Sequence, residues 1–335
     1  MKDETSGAVI QAEGLTKVFR RRPHGAMVTA VEGLSLTVGR GEVLGLVGPD
    51  GAGKTTTLRL LTALLRPTSG TARVAGLDTV RQAAALKQHI GYMPQTFSLY
   101  RDLTVDENLG FFADVFGLGG PERKVRVDRL LGFSRLEAFR TRRAAQLSGG
   151  MQKKLALACA LLHQPEIVFL DEPTTGVDPV SRREFWDILL ELHLQGVTVV
   201  VSTPYMDEAE RCTRVGLMYQ GRLMVCDTPA AIKNMVEGQL LALRPADVRA
   251  AEAIVQAVPG VREVQTYGEL LHAFVDDAAE ALPRLVAAME GAGVAVHDAR
   301  PARPRLEEAF ISLVRPQSVE QGKTRMEERE GTAKT

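Results

Sequence analysis

The chain has 335 residues, enough for a sizeable core and a second, smaller domain, and its 41 Lys plus Arg against 41 Asp plus Glu leave no basic excess for a nucleic-acid footprint. Its three cysteines, Cys159, Cys212 and Cys226, are widely spaced without metal-ligand spacing, which speaks against a disulfide framework and suits idle thiols in a reducing compartment. No apolar run approaches the roughly 18 residues of a membrane span and the acidic, Lys-containing start is unlike a secretory signal, so the chain is expected to be cytoplasmic, with any membrane crossing left to another polypeptide.

In chain order, loose apolar alternation predicts strands from Val9 to Phe19 and from Met27 to Val38, joined by a turn at Pro23-His24-Gly25. Glu42 to Val47 reads as a continuous apolar strand that runs into a glycine-rich loop, followed by a helix from Lys54 to Leu65 that Arg66-Pro67-Thr68-Ser69-Gly70 ends. Helical patterning dominates from Val105 to about Arg143, including Glu107 to Leu118 and Glu122 to Leu131. Helix and strand then alternate: a helix opening at Ser148, strand 166–171, helix 179–195, strand 197–203, helix 205–212 and strand 215–220. Such alternation predicts a mostly parallel sheet with crossover helices, into which 97–146 is a helical insertion. After Gly238 the order β-α-β-β-α-β-α over 240–315 predicts a small ferredoxin-like domain, and the polar stretch 316–335 a disordered tail. The basic clusters at Arg20-Arg21-Arg22 and Arg123-Lys124-Val125-Arg126 read as solvated faces.

Gly48-Pro49-Asp50-Gly51-Ala52-Gly53-Lys54-Thr55 is a phosphate-binding loop in the strand–loop–helix context that the motif requires. Its glycines let backbone N–H groups face phosphate oxygens at the positive end of the helix. Lys54 can reach the β- and γ-phosphates of a nucleotide, and the Thr55 hydroxyl can ligate Mg²⁺. Asp171 and Glu172 close an apolar strand, where ligands bind in open α/β sheets. Asp171 suits the Mg²⁺ shell, and Glu172, one residue on, is placed to polarise an attacking water. Leu147-Ser148-Gly149-Gly150-Met151-Gln152 opens a helix just upstream of that strand, with a hydroxyl and free amides suited to a γ-phosphate.

In these motifs and their order, residues 8–230 resemble the nucleotide-binding domain of ATP-binding cassette (ABC) transporters. The resemblance implies an α/β P-loop NTPase fold with an antiparallel β-subdomain and a helical insertion, followed here by the small α+β ferredoxin-like domain. It implies ATP contacts from Gly48, Asp50, Gly51, Ala52, Gly53, Lys54, Thr55 and Thr56, where Asp50 replaces the family's frequent Asn. Gln95, in Tyr92-Met93-Pro94-Gln95, matches the Q-loop glutamine, which senses Mg²⁺ and relays to the permease. Gly176-Val177-Asp178-Pro179 matches the D-loop. The Ser-Gly-Gly segment matches the signature motif, so that Ser148, Gly149, Gly150 and Asp178 are expected to touch ATP held by a second cassette. Phe19 stands where the family places an aromatic that stacks on adenine, although on an alternating strand it equally suits the core.

One match fails. In Ser202-Thr203-Pro204-Tyr205, proline occupies the place of the family's switch histidine, whose ring contacts the γ-phosphate. Thr203 is expected to cap the following helix with Pro204 at its first position. His193 lies nearby in sequence without a reason to substitute. The expected function is that of an ATPase subunit, slowed by Pro204, which powers an exporter of drugs or other small amphiphiles from the inner face of the cell membrane. The resemblance is closest to the daunorubicin-resistance type, with which the C-terminal Arg305-Leu306-Glu307-Glu308-Ala309-Phe310 agrees. Expected partners are a separate transmembrane permease and a second cassette, with no nucleic acid. The permease is expected to dock on the insertion near Phe97, Leu99, Tyr100 and Leu103. The alternatives are a non-transport ABC ATPase and a nearly inactive ATP sensor paired with an active paralogue.

Overall fold

A computed structural model describes residues 7–20, 25–96 and 98–314. The chain divides into two compact units after Pro229. In the first, β1 (Ala8–Arg20), β2 (Met27–Gly39), β4 (Ser69–Val74) and β5 (Leu77–Asp78) form an antiparallel sheet in the order β2-β1-β4-β5. A second sheet takes the order β10-β9-β3-β8-β7-β6, from β3 (Val43–Val47), β6 (Ile90–Met93), β7 (Ile167–Asp171), β8 (Thr198–Thr203), β9 (Arg214–Tyr219) and β10 (Arg222–Asp227). All its pairings are parallel except the β9–β10 hairpin. Every residue of β3, β7 and β8 is buried, as central parallel strands with apolar runs require.

Helices α1 (Lys54–Leu61), α5 (Gly149–Leu161) and α6 (Pro179–Leu194) connect these strands, with short helices α2 (Ala83–Leu86) and α7 (Met206–Ala209). Between β6 and α5 the chain passes through α3 (Val105–Val115) and α4 (Gly120–Ser134). A reciprocal cap starts α3: the Glu107 amide donates to the Thr104 hydroxyl, and the Thr104 amide donates to the Glu107 carboxylate. The core between the two sheets holds Leu15, Leu34, Leu44, Leu46, Leu58, Leu61, Phe169 and Val200, all at most 1% exposed. Phe169→Ala removes the largest of these side chains and is expected to cost about 3–5 kcal/mol. Urea unfolding checks this, and an unchanged midpoint would contradict the packing.

Beyond the division, α8 (Pro229–Asn234) leads into an antiparallel sheet of order β12-β13-β11-β14. It consists of β11 (Gln239–Pro245), β12 (Val261–Tyr267), β13 (Leu270–Val275) and β14 (Val296–Ala302). Helices α9 (Val248–Gln256) and α10 (Ala278–Gly291) follow β11 and β13, which makes a split βαβ pattern, and a last helix spans 306–314. Asp247 and Asp277 cap α9 and α10, whose Val255, Leu285 and Met289 pack on Leu241, Val264 and Ala273.

The structure departs from the sequence expectations in several places. Strands β4, β5, β6 and β10 are additions to them; Ser-Gly-Thr and Gly-Arg segments read as turns until a neighbouring strand supplies their hydrogen bonds. Helix α1 stops at Leu61 rather than Leu65, because the Thr62 hydroxyl turns back to the Leu58 carbonyl and Ala63 takes a left-handed conformation (φ +57°). Helix α7 keeps only four residues of the expected eight. Pro23 and His24 of the expected turn, Phe97 and the expected tail 316–335 lie outside the described residues.

Candidate nucleotide site

The glycine-rich loop leaves buried β3 at Val47 and enters α1 through Gly53. Gly53 is left-handed at φ +101°, and a Cβ there would lie 2.5 Å from the Ala30 carbonyl oxygen, so only glycine fits. No side chain caps α1, which leaves its first amides free for an anionic ligand. Asp50 and Gly51 are exposed at the loop tip, Thr56 is half-buried, and Gly48 and Ala52 are buried beneath. Lys54 is 4% exposed; its Nζ donates to the carbonyls of Gly48 (2.8 Å) and Pro49 (3.1 Å) and lies 3.3 Å from Glu172 Oε1.

Strand β7 delivers the acids. Asp171 is fully buried, and its Oδ1 accepts from the hydroxyls of Thr55 (2.8 Å) and Ser202 (2.7 Å). The Tyr92 hydroxyl lies 3.5 Å from Asp171 Oδ2; burial and then the Asp171 charge push the phenol above its usual range. Glu172 bends the strand end in a left-handed conformation (φ +47°), costing roughly 1–2 kcal/mol. Its amide donates to the carbonyl (3.1 Å) and hydroxyl (3.0 Å) of Ser202, which hold the bend. The Glu172 Oε2 accepts from Gln95 Nε2 (2.8 Å) and the Thr175 hydroxyl (3.3 Å). The structure thus brings Lys54, Thr55, Gln95, Asp171 and Glu172 into one cluster.

Two further side chains belong to it that sequence reasoning misses. Ser202 pairs with Asp171 in the β7–β8 register and links both acids; its signal is a hydroxyl directly after three valines in a fully buried strand. Lys153 donates to the Gln95 carbonyl (2.8 Å), and its only signal is its place on α5.

The other expected residues stand apart from this cluster. Ser148 caps α5 by accepting from the Met151 amide, and Asp178 caps α6 by accepting from Val180 and Ser181. Those amides, Ser181 first, hold the Asp178 carboxyl below its usual range. Gly150 lies where a Cβ would come 2.5 Å from Ser181 Cβ, so glycine lets the starts of α5 and α6 touch. Ser148, Gly149 and Asp178 are exposed, and the hydrogen bonds of Ser148 and Asp178 stay within their own helices rather than joining the Lys54 cluster. Phe19, near the end of β1, is 39% exposed with Lys17 Nζ 5.3 Å from its ring centre, which decides against a core position.

Pro204 is half-buried between β8 and α7, but the helix it was expected to open begins two residues later, with Tyr205 at its N-cap. The Thr203 hydroxyl accepts from the Tyr205 amide (3.1 Å) and donates to Glu208 (2.6 Å), forming a turn instead of a helix cap. Glu208, 1% exposed, also accepts from the Thr174 hydroxyl (2.6 Å), and Arg182 lies 3.6 Å away with its guanidinium over the Tyr205 ring. His193 binds the Gly41 carbonyl (2.7 Å) and takes no part in the cluster.

Chemically, the cluster offers free helix amides and an amine for phosphate, a buried carboxylate beside a hydroxyl, and a second carboxylate oriented by an amide. The donors of Thr55, Asp171 and the Gln95 side chain are hard oxygens, which fit Mg²⁺ held by one carboxylate plus substrate phosphates.

The family described as ABC transporter matches residues 31–175. The probable multidrug ABC transporter ATP-binding protein YbhF of Escherichia coli (strain K12) is 45% identical over 225 residues, which are 67% of this chain and 38% of that protein. The chain therefore spans well under half the length of that relative. The daunorubicin resistance ATP-binding protein DrrA2 of Streptomyces coeruleorubidus is 36% identical over 312 residues, 92% of this chain and 95% of that one. Among solved structures, the dimeric ATP-binding cassette MJ0796, in a post-hydrolysis state bound to ADP and Pi, is 28% identical with a TM-score of 0.60. That alignment covers 65% of this chain and 98% of MJ0796.

Proposed function

The chain belongs to the ABC transporter family as an ATP-binding subunit, and from that membership we propose that it hydrolyses ATP to drive a membrane exporter of small amphiphiles. The observation that carries the reading is the joining of Glu172, Lys54 and Gln95 by contacts of 3.3 Å or less beside the uncapped start of α1. Lys54 exchanges its carbonyl and carboxylate partners for the β- and γ-phosphates of ATP. Gly48, Asp50, Gly51, Ala52, Gly53, Thr55 and Thr56 surround those phosphates, and Phe19 offers its exposed face to adenine. Released from Lys54, Glu172 accepts the proton of the attacking water, which Gln95 helps to hold. Thr55, Asp171 and Gln95 would hold Mg²⁺, which when bound neutralises charge developing on the phosphates.

Ser148, Gly149, Gly150 and Asp178 serve the ATP of a second cassette, a reading supported by the exposure of Ser148, Gly149 and Asp178 and by the hydrogen bonds of Ser148 and Asp178, which stay within their own helices. A separate transmembrane permease is the proposed partner, with the cassette on the inner face of the cell membrane; no helix among the described residues is long and apolar enough to cross a membrane. For docking, Leu99 is buried and drops out, whereas Tyr100 and Phe111 form an exposed edge-to-face pair 4.7 Å apart on the helical insertion. Pro204 favours a second form of the same reading, in which this chain pairs with an active paralogue and mainly holds ATP in its own site.

The test is affinity isolation of the tagged chain from native membranes, with identification of every subunit and measurement of ATPase activity. Recovery with a multi-span protein and ATP turnover is expected. A wholly soluble chain without a membrane partner would favour a non-transport ATPase instead.

A further inference from the structure

Helix α5 carries two neighbouring lysines that go separate ways. Successive residues on a helix point about 100° apart, and Lys154 turns to Glu184 on α6 while Lys153 reaches the Q-loop. From Lys153 a line of contacts runs through the nucleotide site. Lys153 Nζ donates to the Gln95 carbonyl (2.8 Å), Gln95 Nε2 donates to Glu172 Oε2 (2.8 Å), Glu172 Oε1 lies 3.3 Å from Lys54 Nζ, and Lys54 Nζ donates to the Gly48 carbonyl (2.8 Å). At the start of the same helix stands Ser148, exposed, only about 7.5 Å along the axis from Lys153 at 1.5 Å per residue.

We propose that Lys153 is a positioning residue that ties the signature end of α5 to the chain's own hydrolytic site, so that engagement of a partner's ATP by Ser148 and the setting of Glu172 are coupled. This rests on the reading of Ser148 as a contact to a second cassette's nucleotide. The packing of the helix permits such coupling, since residues 154–159 and Leu161 are buried and a close-packed helix transmits strain along its length. A displacement at Ser148 is then felt at Lys153, and through the Gln95 backbone at the amide that orients Glu172. Burial holds the Lys153 ammonium below its usual range, while Asp171 and Glu172 pull it back up, which places the amine in the field of both acids. An ammonium-to-carbonyl hydrogen bond is charge-assisted and stronger than a neutral one, so the link can carry load. Because coupling is reciprocal, the state of Glu172 and Lys54 must also bias how firmly Ser148 meets the partner's nucleotide.

Lys153→Met keeps the apolar stem and removes the donor; Lys153→Arg keeps a cation able to reach the same carbonyl. In the isolated complex, Lys153→Met is expected to lower kcat and to weaken ATP-driven association of the cassettes, each by about tenfold, with ATP affinity of the separate cassette unchanged. Lys153→Arg is expected to restore most of both. Unchanged kcat and unchanged association in a folded Lys153→Met would overturn the proposal, because a lysine that merely packs would leave both alone. A fall in ATP affinity of the separate cassette would also overturn it, by placing Lys153 in nucleotide binding. If the unaltered complex neither hydrolyses ATP nor associates with it, the functional reading itself fails, which is distinguishable from failure of Lys153 alone.

Discussion

Glu172→Gln is expected to lower ATP turnover by about 10²–10⁴ while ATP binding survives, because the general base is lost and the phosphate cradle is not. The substitution preserves shape. An amide oxygen can still face Lys54 Nζ, and Gln95 can turn its own oxygen toward the new NH₂ group, so the contacts at 3.3 and 2.8 Å persist in altered form. The strained backbone at residue 172 is held by Ser202 through main-chain and hydroxyl bonds that do not involve the side chain. Single-turnover hydrolysis and equilibrium ATP binding, measured on the same preparation, separate the two effects. Turnover within a few-fold of the parent would move the base elsewhere, and loss of ATP binding would make Glu172 part of the cradle.

Pro204→His is expected to raise hydrolysis at the chain's own site by about 10²–10³, the worth of one donor aimed at developing transition-state charge. Strand register places the residue well: Thr203 pairs with Val47, the last residue before the phosphate loop, and Ser202 pairs with Asp171. Position 204 therefore lies one step beyond the level at which both the loop and the acids leave the sheet. The loop's own bonds, from Tyr205 to Thr203 and from Thr203 to Glu208, do not use Pro204, so a histidine can enter without breaking them. Turnover rising with ATP affinity unchanged is the expected result. No gain in rate at unchanged affinity would show that Pro204 is not what slows the site.

Much of the site is legible in the sequence because its chemistry is local. The phosphate loop is eight consecutive residues between a strand and a helix, and Asp171-Glu172 ends an apolar run; each motif carries its own structural context. Ser202 and Lys153 are illegible for the opposite reason. Each matters only through a neighbour distant in sequence, Asp171 across a sheet register and Gln95 across the start of α5, and no local pattern announces such a partner. Thr203 shows the intermediate case. Its hydroxyl does accept from a backbone amide, that of Tyr205, as its residue type suggests, but it also donates to the buried carboxylate of Glu208, and the pair of bonds closes a turn before the helix starts.

Legible in the chain alone are the helix–strand alternation after Ser148 and the residue types available for ATP chemistry, because periodicity and contiguous motifs encode these directly, whereas the cassette fold followed from the family that those motifs resemble. Which side chains meet depends on the folded chain. Edge strands such as β4 and β10 depend on partners for their hydrogen bonds, Phe19 is open between core and surface until its 39% exposure is known, and Leu99 proves buried where Tyr100 is not. The physical reason is the same in each case: propensity acts over a few residues, whereas burial and hydrogen-bond pairing depend on groups brought together from across the chain.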